Sequence, residues 1–270
     1  MKKSRLGWFK KIVWGSFTLA VIGLIGLLAA FVYYGGQVPD PSVIVSRQIN
    51  ESTKIYDRTE TTILYDIHGE EKRTIIPWEQ IPESVKKATL ASEDSDFYNH
   101  RGVDLRGVLR AVYKDLTSLT ASQGGSTITQ QLVKNSLLGK EKTLARKIKE
   151  VILSVLVEEK FTKDEIFWMY LNQIPYGSNA YGIEAASQTF FDKPAKDLGL
   201  AEAALLASLP KAPSYYSPYG NRFSELIQRR NNILKRMTAL GYITGVDYRE
   251  SIGEVPKLRP LQEHIVAPPV

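Results

Sequence analysis

The sequence predicts a mainly α-helical globular domain with a small β segment at its start, preceded by one helix long enough to span a membrane. Three observations carry this. Residues 12–34, "IVWGSFTLAVIGLIGLLAAFVYY", are uncharged and mostly apolar. Residues 54–76 alternate short β-branched runs with turn residues. From Pro82 onward the pattern changes to helix starts, apolar periodicity and caps.

The apolar run comes first. At about 30 Å, a bilayer core is crossed by roughly 20 helical residues, and this run exceeds the 7–15 apolar residues typical of a cleaved leader. Lys2, Lys3, Arg5, Lys10 and Lys11 precede it without a balancing acid. Positive flanks stay in the cytoplasm, so residues 1–11 read as a cytoplasmic tail, 12–34 as an uncleaved single-pass membrane anchor, and the remainder as extracytoplasmic. The same five charges explain the net charge of +6: without them 30 basic residues face 29 acidic ones, which removes the case for a nucleic-acid partner. Zero cysteines agree with an exported domain that uses no disulfides.

"GGQVPDPSV" follows as a Gly/Pro-rich exit, and residues 35–53 read as a linker. "KIYDRTETTILYDIHGEEKRTII" reads as two or three short strands. Pro82 then starts a helix running to about Ser92. "TKDE" at 162–165 is a capping box opening another, "GLAEAALLASL" is a buried helix by composition, and "RFSELIQRRNNILKRMTALGYIT" is a long amphipathic helix ending at Gly241.

Three stretches carry chemistry. In "ASEDSDFYNHRG", residues 91–102, Glu93 and Asp94 fall at the end of the Pro82 helix. The negative end of the helix dipole disfavours a carboxylate there and makes it a better proton acceptor. In "QGGSTITQQLVKN", residues 123–135, two glycines, Ser126 and Thr127 form a helix start whose N–H groups can receive an anion; Thr127 with Gln130 also suffices as a capping box, and Gln130 and Lys134 share a face. In "KEKTLARKIKEVILSVLVEEK", residues 140–160, Leu144, Ile148, Val151, Ile152 and Val155 make one apolar face, with Arg146, Lys147 and Glu150 opposite. Residues 134–150 hold six bases and two acids. Arg146 ahead of Glu150 is the weaker order for a helical ion pair, so helix stability alone does not account for it.

The set resembles the peptidoglycan glycosyltransferase family, the N-terminal module of class A penicillin-binding proteins, over about residues 54–250. The motifs are Glu93, Asp94, Phe97, His100 and Gly102 with "GVDLRGVLRA" after them; "GGSTITQQ"; "RKIKE"; "KDEIFWMYLNQIPYG" with "AYGIEAASQTFF"; and "LAEAALLASLPKAPSYYSP". The resemblance implies a lysozyme-like cleft that joins lipid II to a growing lipid-linked glycan at the membrane surface. It makes Glu93 the general base, Glu150 the second essential glutamate, and Asp94, Ser126, Gln130, Lys134, Lys142, Arg146 and Lys147 substrate contacts, several of them on the diphosphate. It also implies, for some members, a divalent metal (Mg2+ or Mn2+) near the diphosphate, other cell-wall synthesis proteins as partners, and inhibition by moenomycin-type compounds. Lys142 stands where the family usually has arginine, and Phe167 replaces a common leucine.

A muramidase or lytic transglycosylase is the nearest alternative, but such enzymes need no cationic clamp for a diphosphate. The Ser-x-x-Lys matches of a transpeptidase, "SVKK" at 84 and "SLPK" at 208, lack an accompanying Lys-Thr-Gly and read as chance. Residues 251–270 read as a connector toward a transpeptidase domain.

Overall fold

The computed structural model describes residues 3–46, 53–56, 63–67, 72–105, 107, 125–139, 141 and 143–260. Within these the chain is mainly helical, with two small sheets.

Helix α1, Lys3–Gly35, runs for 33 residues, about 50 Å at 1.5 Å per residue. Over the described residues no helix is long and apolar enough to cross a membrane. Several α1 side chains fall outside that set, so a span at 12–34 rests on the residue order. The segment after α1, expected to be a linker over 35–53, is tied to the domain where it is described. A short helix, α2 (Val43–Ser46), sits in it, Ile44 is 1% exposed, and Asp40 accepts from Lys160 Nζ at 2.8 Å. Four residues of backbone order follow from burying one isoleucine.

The β segment forms as expected: β1 (Thr53–Tyr56) pairs antiparallel with β2 (Ile63–Ile67). The third strand, β3 (Lys72–Arg73), leaves that pair and joins a second sheet. It lies parallel to β5 (Ala180–Tyr181), which pairs antiparallel with β4 (Pro175–Gly177). This hairpin was not anticipated. Ser178 and Asn179 take positive φ, 51° and 58°, the left-handed pair that a tight two-residue turn requires.

Helix α3, Glu83–Glu93, begins after Pro82 and ends on the acidic pair, with Asp94 as its C-cap. Helix α4, Ile128–Ser136, starts from the expected capping box: Thr127 accepts from Gln130 N, and the Gln130 side chain accepts from Thr127 N. Next come α5 (Leu144–Lys160) and α6 (Lys163–Gln173), the latter opened by the Thr162/Glu165 box. Then α7 (Ile183–Phe191), α8 (Leu200–Leu206), α9 (Phe223–Ala239) and α10 (Gly245–Gly253) complete the domain.

The main core gathers Phe97, Ile128, Leu132, Leu153, Phe167, Tyr170 and Phe190, all fully buried. Phe167 packs at 5.8 Å from Trp78 and 5.6 Å from Phe97, an aromatic cluster that absorbs the larger side chain. A smaller core joins α3, α8 and α9 through Ala88, Ala91, Ala204, Ala207, Ile233, Leu234 and Met237. The four alanines keep the helices close, which brings the cationic side of α9 to the end of α3: Arg236 donates to Ser95 Oγ at 2.8 Å. Arg230 is fully buried within the apolar stripe of α9. Its NH1 donates to Glu254 O at 2.6 Å and its NH2 to Ile252 O at 3.2 Å, so a buried cation finds carbonyl partners.

Helix α5 departs from its expected faces. Glu150, Ile152, Leu153, Ser154 and Val157 are buried, whereas Leu144 is 78% exposed and Ile148, Val151 and Val155 are half-buried. Glu150 turns inward with counterions from its own helix, and α5 packs against α1.

Candidate active site

The site is built around one turn, Ser126, Thr127 and Ile128, and each residue ties a different element to it. Ser126 Oγ accepts from Lys147 Nζ at 3.0 Å. Thr127 Oγ1 donates to Gly102 O at 2.7 Å. Ile128 N donates to Asp94 Oδ2 at 3.1 Å. The acidic end of α3, the loop after it and the cationic start of α5 therefore meet at the N-terminus of α4.

The N–H at Ile128 is occupied by Asp94, so this part of the helix start already has an anionic partner within the chain. Asp94 is 7% exposed and also accepts from His100 Nε2 at 3.0 and 3.2 Å, which ties the motif together. Gln130 and Lys134 lie one turn apart on α4 as expected; Gln130 is 3% exposed and its Oε1 serves the cap at 3.3 Å. The amide that reaches Glu93 is its neighbour. Gln131 Nε2 donates to Glu93 Oε2 at 2.9 Å, and Gln131 Oε1 accepts from Tyr170 OH at 3.3 Å.

Glu93 ends α3 with a side chain 10% exposed. Its Oε1 accepts from Ser92 Oγ at 2.8 Å and from Arg229 NH2 at 3.3 Å. Burial, reinforced by the Glu93 charge, pushes the hydroxyls of Tyr170 and Tyr176 well above the usual tyrosine range, so both remain neutral donors. Neither Gln131 nor Arg229 was singled out from sequence. The doubled glutamine of "TQQ" was the available signal for the first.

Gly102 makes the assembly possible. At φ +78°, a Cβ there would lie 2.7 Å from Ser154 O, so only glycine lets this loop rest on the backbone of α5. One turn earlier on α5, Glu150 is 2% exposed. It accepts a short hydrogen bond from Lys147 Nζ and faces Arg146 NH1 at 3.6 Å. Arg146 Nε is buried without a hydrogen-bond partner. Ser126, Arg146, Lys147 and Glu150 are thus gathered as expected. Lys134 is exposed on α4, and Lys142 lies outside the described residues.

Among the described residues, no three His, Cys, Asp or Glu side chains are grouped to hold one, and both Glu150 oxygens face cations. The chance Ser-x-x-Lys match at Ser208 is inert: the residue is fully buried and its hydroxyl donates to Ala204 O at 2.8 Å.

A helical domain that joins an enclosed carboxylate to a cationic cluster at one turn offers a proton acceptor beside charges suited to an anionic group. The sequence model of the Transglycosylase family matches residues 60–238. Penicillin-binding protein 1A of Aquifex aeolicus is 42% identical over 245 residues, covering 91% of this chain and 33% of that protein. The protein of the same name from Pseudomonas aeruginosa is 40% identical, covering 90% and 29%. That of Escherichia coli K12 is 42% identical, covering 83% and 26%. The chain belongs to the transglycosylase family and corresponds to the transglycosylase module of class A penicillin-binding proteins. It spans about a third or less of the length of these relatives.

Proposed function

We propose that this chain polymerises lipid II into β-1,4-linked glycan strands within a lysozyme-like cleft, releasing undecaprenyl diphosphate with inversion at the donor anomeric carbon. The growing lipid-linked glycan is the donor and lipid II the acceptor. Glu93 takes the proton from the acceptor 4-hydroxyl as that oxygen attacks the anomeric carbon. Arg146, Lys147 and Ser126 stand where the leaving diphosphate gathers charge, with Glu150 orienting the two cations. The observation that carries this reading is the Ser126–Ile128 turn, which bonds to Lys147 on one side and to the neighbour of Glu93 on the other.

Residues 12–34 anchor the chain in the membrane, with the N-terminus cytoplasmic and the catalytic domain outside. Supporting this, Trp14, Phe17, Ile22, Ile25, Leu28 and Val32 are exposed on α1, an apolar surface that water does not favour. Moenomycin-type inhibitors compete for the donor side, other cell-wall synthesis proteins act as partners, and the segment after α10 leads toward a transpeptidase domain.

The test is incubation of the purified chain with lipid II, with and without a muramidase. Polymer that the muramidase digests supports the reading. Shortening of added glycan without polymer formation overturns it in favour of a lytic enzyme.

A further inference from the structure

Arg229 has no part in the chemistry described above, yet it is the one cation touching Glu93 among the described residues. Its guanidinium is fixed on three sides. Nε donates to Ser208 O at 3.0 Å, NH2 donates to both Ser92 Oγ at 3.2 Å and Glu93 Oε1 at 3.3 Å, and the plane lies 5.5 Å from the Tyr216 ring centroid. A planar fork held this way cannot turn toward Glu93 and keep Ser208 unless its geometry is that of arginine.

The two oxygens of Glu93 are consequently unlike. Each carboxylate oxygen offers about two lone pairs. Those of Oε1 are taken by Ser92 Oγ and Arg229 NH2, while Oε2 receives only the neutral Gln131 amide. The other titratable groups around Glu93 do not compete. Tyr170 from α6 and Tyr176 from β4 are held neutral by burial, and Asp94 is occupied by His100 and Ile128 N.

We propose that Arg229 is a positioning residue that occupies Oε1 of Glu93 and so makes Oε2 the proton-accepting oxygen. This rests on Glu93 being the general base. In the step, the acceptor O–H bond breaks and its proton goes to Oε2. The freed oxygen bonds to the donor anomeric carbon as the bond from that carbon to the diphosphate oxygen breaks, and the electron pair leaves with undecaprenyl diphosphate.

The experiment is single-turnover lipid II polymerisation by the full chain, with lipid II binding measured separately and folding checked by thermal denaturation. Arg229→Gln lowers the single-turnover rate by about tenfold or more while lipid II binding is kept. Arg229→Lys lowers the rate about tenfold as well, because an ammonium cannot hold Ser208 and Glu93 together. Arg236→Gln, which removes a comparable tie between α9 and the α3 end, leaves the rate unchanged. A wild-type rate in folded Arg229→Gln or Arg229→Lys, a loss of lipid II binding that accounts for the lost rate, or an equal loss of rate in Arg236→Gln each overturns the proposal. If Glu93→Gln is inactive while Arg229→Gln polymerises at the wild-type rate, only the role of Arg229 falls. Near wild-type polymerisation by Glu93→Gln removes the general-base reading itself.

Discussion

Glu93 and Glu150 are both enclosed carboxylates beside cations, but they are held in opposite ways. Glu93 takes its partners from residues 38 and 136 positions away, Gln131 on α4 and Arg229 on α9. Glu150 takes its two cations from its own helix, three and four positions earlier. The first geometry exists only once the helices have packed; the second is largely present as soon as α5 forms. A base that must keep one lone pair free requires partners fixed in direction, which packing supplies. A clamp that must neutralise a diffuse diphosphate charge can be assembled locally.

The substitution with the largest expected effect tests the first half of that comparison. Glu93→Gln preserves size and much of the hydrogen bonding but cannot accept the proton, so the single-turnover rate falls by about 10² to 10⁴ while lipid II binding persists. A near wild-type rate would transfer the role to Asp94 or Glu150. Gly102→Ala comes next, because the loop carrying the Glu93 motif rests directly on the helix of Glu150. A Cβ at positive φ pressed against Ser154 O should destabilise the domain by about 2–4 kcal/mol in denaturant unfolding; wild-type stability would mean the two halves can separate freely.

Glu150→Gln sharpens the contrast. It leaves Arg146 and Lys147 without their common anchor, so donor engagement and rate should both drop, by about tenfold each, measured as donor KM and kcat. A pure loss of kcat with unchanged donor binding would give Glu150 the same kind of role as Glu93. The smallest effect is expected from Thr127→Ala, which removes the cap of α4 and the donor to Gly102 O, for a loss of about 1 kcal/mol by thermal or chemical denaturation.

The same division explains what was legible beforehand. Helix starts set by neighbours, such as Thr127 with Gln130 and Thr162 with Glu165, appear where the residue order puts them. Glu93 falls at the end of α3 as the Pro82 start implies. Arg229 and Gln131 did not stand out because nothing within a turn of either marks a contact to Glu93. The partners of Asp94, a histidine six residues on and an N–H 34 residues on, were likewise not legible in the residue order. The inward face of α5 was misjudged because a buried glutamate looks like a surface one until its counterions are located.

Arg230 has a consequence for the order in which the domain is completed. Its guanidinium cannot be enclosed until the carbonyls of residues 252 and 254 arrive, up to 24 positions later in the chain. Final seating of α9, and with it the approach of Arg229 to Glu93, therefore depends on the arrival of the C-terminal segment, so a chain cut short before residue 252 would leave a cation facing the apolar stripe of α9.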